Sequence, residues 1–77
     1  MTLQEGSVGS FYKVEAIHTE ESVERRLGAI GLNPMTQVQI VNRKRNGSMI
    51  IRVRGTRWAM GKAITNGILV READRNE

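Results

Sequence analysis

Residues 37–54, QVQIVNRKRNGSMIIRVR, decide the fold that the sequence predicts. Apolar and polar residues alternate on both sides of a central turn, which is the pattern of two half-buried β-strands. The turn contains Asn46-Gly47, the dipeptide most typical of a tight hairpin. The apolar face of the return strand consists of Met49, Ile51 and Val53. Its other face consists of Ile50, Arg52 and Arg54. The stretch therefore predicts an antiparallel hairpin with one buried face.

A short amphipathic helix is predicted ahead of this hairpin. Its apolar stripe recurs at i, i+4 and i+7 and consists of Val23, Leu27 and Ile30. The hydroxyl of Thr19 or Ser22 can cap the first turn. Gly31 predicts the end of the helix, because glycine accepts the left-handed backbone conformation that closes a helix. Leu32 can then fold back onto the last turn.

Further short strands are predicted on both sides of these elements. Residues 10–18 are rich in β-forming types, and their pattern keeps one apolar face only if a bulge lies near residues 15 and 16. Residues 58–60 and 68–70 predict two more strands, and residues 61–67 predict a tight turn or a single helical turn between them. Several short strands and one helix in so small a chain indicate a mainly β fold, a partly open barrel.

Length and composition restrict the class of protein. With 77 residues the chain is expected to form one domain, residues 1–77, whose polar end from residue 71 frays. No cysteine is present, which excludes disulfides, thiol chemistry and Cys-ligated metal centres. No apolar run approaches the roughly 20 residues of a membrane helix, and the N-terminus lacks the pattern of a signal peptide. We therefore expect a cytoplasmic protein without direct membrane insertion.

The distribution of charge points to an acidic or phosphate-bearing partner. The net charge is +4, yet residues 25–71 contain ten Arg or Lys and no Asp or Glu. The carboxylates lie in residues 1–24 and 72–77. Such a separation predicts a basic face with an acidic edge, which fits an acidic protein surface, a nucleic acid or an anionic membrane. A solvated surface that keeps a small protein soluble would also explain it.

Three runs of sequence resemble the FeoA family. The first is RRLGAIGLNP, residues 25–34, which is similar to the helix and turn that precede a strand in that family. The second is IRVRGTRWAM, residues 51–60, and the third is ILV, residues 68–70. Together they extend the resemblance over about residues 3–72, nearly the whole chain.

The resemblance implies an SH3-like small barrel with one α-helix after the first strand and a short helical turn before the last strand. It also implies an accessory role in ferrous iron uptake, together with the membrane GTPase transporter FeoB. Related domains form a C-terminal module of metal-dependent repressors, so a regulator-associated module is an alternative. Two residues depart from the family pattern. Met35 replaces a usual glycine, which favours a type I turn over type II, and Trp58 replaces an aliphatic residue.

No enzyme, cofactor or metal site is expected. The chain has one histidine, His18, beside carboxylates such as Glu15, Glu20 and Glu21, and we expect it at the surface. A ferrous site would require two histidines and a carboxylate or a similar cluster, so only weak, adventitious binding is predicted despite the association of the family with transition metals. Residues 6–9 lack the Lys-Ser/Thr pair of a phosphate-binding loop.

A non-enzymatic protein-binding module is therefore the preferred hypothesis, and the sequence does not indicate its oligomeric state. The candidate partner-binding residues are Arg25, Arg26, Arg43, Lys44, Arg45, Arg52, Arg54, Arg57 and Trp58. Nucleic acid is the main alternative ligand, but stacking of bases needs exposed aromatics among the cations. Only Trp58 is a candidate for that role, and we expect it in the core rather than at the surface. A groove for Pro-rich peptide is a weaker alternative, since the three aromatics are dispersed.

Overall fold

The predicted hairpin forms the centre of a five-stranded sheet. The computed structural model describes residues 1–75. Its regular elements, after a 3-10 helix at Leu3–Glu5, are β1 (Phe11–Ile17), α1 (Glu21–Ala29), β2 (Gln37–Arg43), β3 (Met49–Val53), β4 (Thr56–Met60), α2 (Lys62–Thr65) and β5 (Ile68–Ala73). Their order along the chain agrees with the prediction of a mainly β fold with one helix and a short helical turn.

All neighbouring strands of the sheet are antiparallel, in the order β4-β3-β2-β1-β5. The register between β1 and β5 shifts between Val14 and Ala16, so the predicted bulge is confirmed. A bulge increases the local twist of a strand, which helps a small sheet to curl towards a barrel. Outside the strands, an isolated bridge joins Thr2 to Leu69 and brings the N-terminal segment against β5.

The inner face of the curled sheet and one side of α1 enclose the core. As predicted, Met49, Ile51 and Val53 are fully buried, and they pack with Leu27 and residues of the other strands. Arg52 is half-buried and Arg54 is exposed on the opposite side. The register that the alternation predicts is therefore confirmed, since a slip of one residue would exchange the two faces.

The end of α1 follows the prediction, but its start does not. Gly31 has a φ of +90°, and the amide of Leu32 donates to the carbonyl oxygen of Leu27 at 2.9 Å. With the Gly31 amide bonded to Gly28 at 3.0 Å, this is a Schellman motif. The helix begins at Glu21 without a side-chain cap, so the predicted capping by Thr19 or Ser22 is wrong. The Thr19 hydroxyl instead donates to the carbonyl oxygen of Glu20 at 3.3 Å.

The turn after α1 corrects a second prediction. Met35 has a φ of +76°, and the amide of Thr36 donates to the carbonyl oxygen of Asn33 at 3.0 Å. A positive φ at the third residue belongs to a type II turn, so the predicted type I turn is wrong. Neighbouring bonds hold this conformation: the Met35 amide donates to Val14 at 2.7 Å, and the Thr36 hydroxyl donates to Gly31 at 3.1 Å.

The C-terminal strand is longer than predicted. Residues 71–73 were expected to fray, but they pair with Phe11, Tyr12 and Lys13 of β1, so that prediction is wrong. Pairing with β1 gives the backbone N–H and C=O groups of this segment hydrogen-bond partners, and this does not require apolar side chains. Residues 74 and 75 follow the strand, and the Gln37 Nε2 donates to the carbonyl oxygen of Arg75 at 3.0 Å. The last two residues of the predicted fraying tail, 76 and 77, lie outside the described residues.

Candidate functional site

Trp58 is exposed at the edge of the sheet. It lies directly opposite the buried Ile51 in the pairing of β3 with β4, so its side chain projects to the inner side of the sheet. However, 38% of its surface remains accessible, because β4 is an edge strand and α1 does not cover it. The expectation that Trp58 is a core residue is therefore wrong. A large aromatic side chain that faces a core and remains open to solvent is typical of an interface anchor.

An apolar groove lies between Trp58 and α1, and we call it the Trp58 groove. It encloses about 420 Å³ and has one charged lining residue, Arg26. The other lining residues are Val23, Leu27, Ala29, Ile30, Trp58, Ala59, Met60 and Ile64. Of the predicted candidates, only Arg26 and Trp58 come together here. The arrangement forms a shallow apolar binding site with a cation at its rim.

Sequence reasoning missed most of this groove. Val23 and Ile30 were predicted to face the core as part of the helical stripe, but both are only half-buried. Ile64 lies on α2 and packs against the core from the side, which a short helical turn in the sequence does not reveal. The sequence signal that pointed to the groove was the apolar stripe of α1. In the structure only Leu27 of this stripe is buried, so the other two residues remain available to line the groove.

The opposite side of the sheet carries a second group of candidates, and we call this side the outer face. Arg52 on β3 lies directly opposite Arg57 on β4, and Gln39 on β2 lies directly opposite Arg52. The Arg52 Nη1 donates to the Gln39 Oε1 at 3.2 Å. Because Trp58 projects to the inner side, the structure separates it from these arginines.

Two other predicted arginines are bound to backbone oxygens. The Arg43 Nη2 donates to the carbonyl oxygens of Gln4 at 2.9 Å and Gly6 at 2.6 Å, and thus fixes the N-terminal segment to the sheet. The Arg54 Nε donates to the carbonyl oxygen of Gly31 at 3.3 Å. These contacts give both side chains a structural role, and Arg43 is half-buried as a result.

The remaining predicted cations are exposed and lie apart from both groups. Lys44 and Arg45 occupy the tip of the β2–β3 hairpin, where the amide of Gly47 donates to the carbonyl oxygen of Lys44 at 3.0 Å. Arg25 lies on the exposed side of α1. The nine predicted residues therefore do not form one site.

Metal-ligating side chains do not come together in the described part of the chain. Among residues 1–75, no group of three or more His, Asp or Glu side chains is placed to hold a metal ion. His18 is exposed at the end of β1, as predicted. In the same part of the chain, no helix has the length and apolar character to cross a membrane.

Comparison with known proteins places these features in a family. A family model described as the FeoA domain matches residues 1–72. The fold is similar to that of an FeoA protein from Chlorobium tepidum, with 24% identity and a TM-score of 0.90 over 100% of this chain and 74% of that one. It is also similar to an FeoA described as an iron uptake regulatory protein, with 29% identity and a TM-score of 0.83 over 95% and 96% of the two chains.

A third similar structure is FeoA from Stenotrophomonas maltophilia complexed with zinc, described as a procaryotic SH3 domain protein. It has 25% identity and a TM-score of 0.79 over 92% of this chain and 89% of that one. No curated protein gives a significant match to the sequence. The matches confirm both the predicted resemblance and the SH3-like fold.

Proposed function

The chain belongs to the FeoA family, and from this premise we propose that it is a non-enzymatic accessory protein of ferrous iron transport. We further propose that it acts by docking onto the cytoplasmic part of a FeoB-type GTPase transporter. The similar protein from Stenotrophomonas maltophilia has been put forward as a ferrous iron transport activating factor, which supports this role. The chain would then act in the cytoplasm and would influence the nucleotide cycle or the assembly of the transporter.

The exposed Trp58 is the observation that carries the docking proposal. Interfaces between proteins obtain most of their binding energy from a few aromatic or arginine side chains seated in well-packed surroundings. Trp58 and Arg26 are such a pair, and they border an apolar groove of about 420 Å³. A cytoplasmic segment of the transporter with an apolar side chain for the groove and a carboxylate for Arg26 would complement both features.

Nucleic acid fits the same surface less well. Binding of single strands combines cations with aromatic side chains on which bases stack. Here the exposed tryptophan and the Arg52–Arg57 pair project to opposite sides of the sheet, so they cannot serve one strand in that manner. The separation supports a protein partner.

The proposal is tested by measuring binding to a FeoB-type transporter in nanodiscs. Trp58→Ala should weaken binding by about 2 kcal/mol or more, roughly thirtyfold, because it removes the anchor of the interface. Met35→Ala is the matched control, since Met35 is 69% exposed and does not line the groove. Equal affinities of Trp58→Ala and the wild type would reject the groove as the docking site.

Salt distinguishes the two classes of partner. A nucleic-acid complex should weaken steeply, with a logarithmic slope near −0.7 to −0.9 for each phosphate contacted. A protein interface with an apolar centre should retain appreciable binding at 0.3 M salt, because charges at the rim mainly affect the association rate. Tight binding of random DNA or RNA at physiological salt would reject the proposed function.

A further inference from the structure

The outer face of the sheet is basic at its paired strand positions, and the exposed Glu15 of β1 lies at the unpaired bulge. None of the paired strand positions that project outward from β1 to β5 is Asp or Glu. The cations at outward positions of β1, β3 and β4 include Lys13, Arg52 and Arg57. Arg54, in the turn that follows β3, extends the same edge. Such a face attracts anions and repels cations.

Arg52 and Arg57 form an unfavourable pair in the free chain. They are direct neighbours across β3 and β4, and like charges in that position destabilise a sheet. The guanidinium of Arg52 is bonded to the neutral amide of Gln39, which does not offset its charge. The side chain of Arg57 has no hydrogen-bond or ion-pair partner within residues 1–75. A bound anion would relieve this repulsion.

A hollow beside Arg52 gives room for a ligand chain, and Arg57 lies outside its lining. It encloses about 300 Å³ on the outer face and is lined by Phe11, Gln37, Gln39, Arg52, Arg54 and Arg75, among others. Strands in a sheet are spaced by about 4.8 Å, so the cations from β1 to β4 extend over roughly 14 Å. This length exceeds a single phosphate ion and suits an extended polymer.

The aromatic side chain of the outer face, Phe11, is already covered by an arginine. The guanidinium carbon of Arg75 lies 5.9 Å from the centre of the Phe11 ring, so a nucleobase cannot stack there without displacing it. The carboxylates of a protein, in contrast, require only the charged heads of the arginines, which can bind them in a bidentate manner.

We propose that the outer face binds an acidic, extended segment of a protein partner, whose carboxylates are held by Arg52 and Arg57. This inference adds a second contact surface to the proposed function. It rests on the proposed function in one respect, namely that the partner is a protein. The Trp58 groove lies on the other side of the sheet, so the two surfaces can be tested separately.

The test uses a fluorescent peptide of alternating Glu and Thr and the full chain at 0.1 M salt. Arg57→Gln should weaken binding of the peptide about threefold or more, and Arg52→Gln with Arg57→Gln about tenfold or more, since paired charges are lost. Arg25→Gln removes the same charge from α1, on the other side of the sheet, and should leave affinity within about twofold. Trp58→Ala should also leave peptide binding unchanged.

Stability provides an independent measurement. Arg57→Gln should raise the denaturation midpoint of the free chain, and the gain should shrink in 1 M salt, where repulsion is screened. A lower midpoint, or equal losses of affinity for Arg57→Gln and Arg25→Gln, would overturn the inference. Tighter binding of a single-stranded DNA oligomer than of the peptide would overturn it in favour of nucleic acid. If these tests fail but Trp58→Ala still weakens binding to the transporter, the inference about the outer face is rejected and the proposed function stands.

Discussion

The side chain of Arg54 lies against the backbone of Gly31. Its Nε donates to the carbonyl oxygen of Gly31 at 3.3 Å, and a Cβ added to Gly31 would lie 2.5 Å from that nitrogen. The contact joins the turn after β3 to the end of α1. A cation at this position also interacts favourably with the negative end of the helix. The absence of a side chain at Gly31 therefore serves both the helix stop and the close approach of Arg54.

Gly31→Ala should destabilise the protein for two reasons. The φ of +90° costs a residue with a Cβ about 1–2 kcal/mol, and the methyl group must also displace Arg54. In an Arg54→Ala background the second contribution disappears, so a double-mutant cycle from urea denaturation should give a coupling of about 0.5 kcal/mol or more. An identical loss in both backgrounds would show that the arginine does not constrain residue 31.

Met35→Gly should stabilise the protein. Met35 holds a φ of +76° and is 69% exposed, so glycine removes backbone strain and little buried surface. The gain should reach at most about 1 kcal/mol, because glycine also increases the entropy of the unfolded chain. Asn33→Gly in the same turn is the control and should not stabilise, since residue 33 does not have a positive φ. A lower melting temperature for Met35→Gly would contradict the prediction.

Ile51→Ala should remove a large part of the stability. Ile51 is fully buried in the core, and such a truncation costs about 2–5 kcal/mol. Ile50→Ala is the matched control, because the neighbouring residue is half-buried on the outer face. It should cost clearly less in the same denaturation experiment. Equal losses would indicate that the two faces of β3 are equally packed, contrary to the register.

Acid should lower the stability of the N-terminal segment by protonating Glu5. The amide of Thr2 donates to the Glu5 Oε1 at 2.6 Å, which holds the pKa of that carboxyl below its usual value of 4.5. A lowered pKa in the folded state stabilises the fold above pH 4.5 and ceases to do so as pH falls through the folded-state pKa. The difference in stability between wild type and Glu5→Gln should therefore vanish in acid. An NMR titration of Glu5 with an ordinary pKa would contradict this.

The sequence predicted the features that depend on local pattern. Alternation in residues 49–53 gave the buried face of β3, and Gly31 with Leu32 gave the end of α1, because period and glycine chemistry act over a few residues. The type of the turn at Met35 was mispredicted because the local sequence does not show its hydrogen bonds. The Met35 amide donates to the carbonyl oxygen of the distant Val14, and the Thr36 amide donates to that of Asn33, and together they override the preference against a positive φ.

The candidate surfaces depend on tertiary placement, which local pattern does not specify. Arg26 and Trp58 are 32 positions apart in sequence, and they share a groove only because α1 packs beside the edge strand. Arg43 was predicted as a partner-binding cation, yet its guanidinium is bound to the carbonyl oxygens of Gln4 and Gly6. A charge pattern alone cannot distinguish an arginine that is free from one that fastens two segments.

The environment of Trp58 during binding tests the docking proposal most directly. Trp58 is the only tryptophan of the chain, so 5-fluorotryptophan labelling gives a single ¹⁹F resonance from that side chain. On titration with a FeoB-type transporter in nanodiscs, we expect this resonance to shift and broaden in a saturable manner as the indole is buried. An unchanged resonance, under conditions where the labelled chain is shown to bind the transporter, would contradict docking through the Trp58 groove.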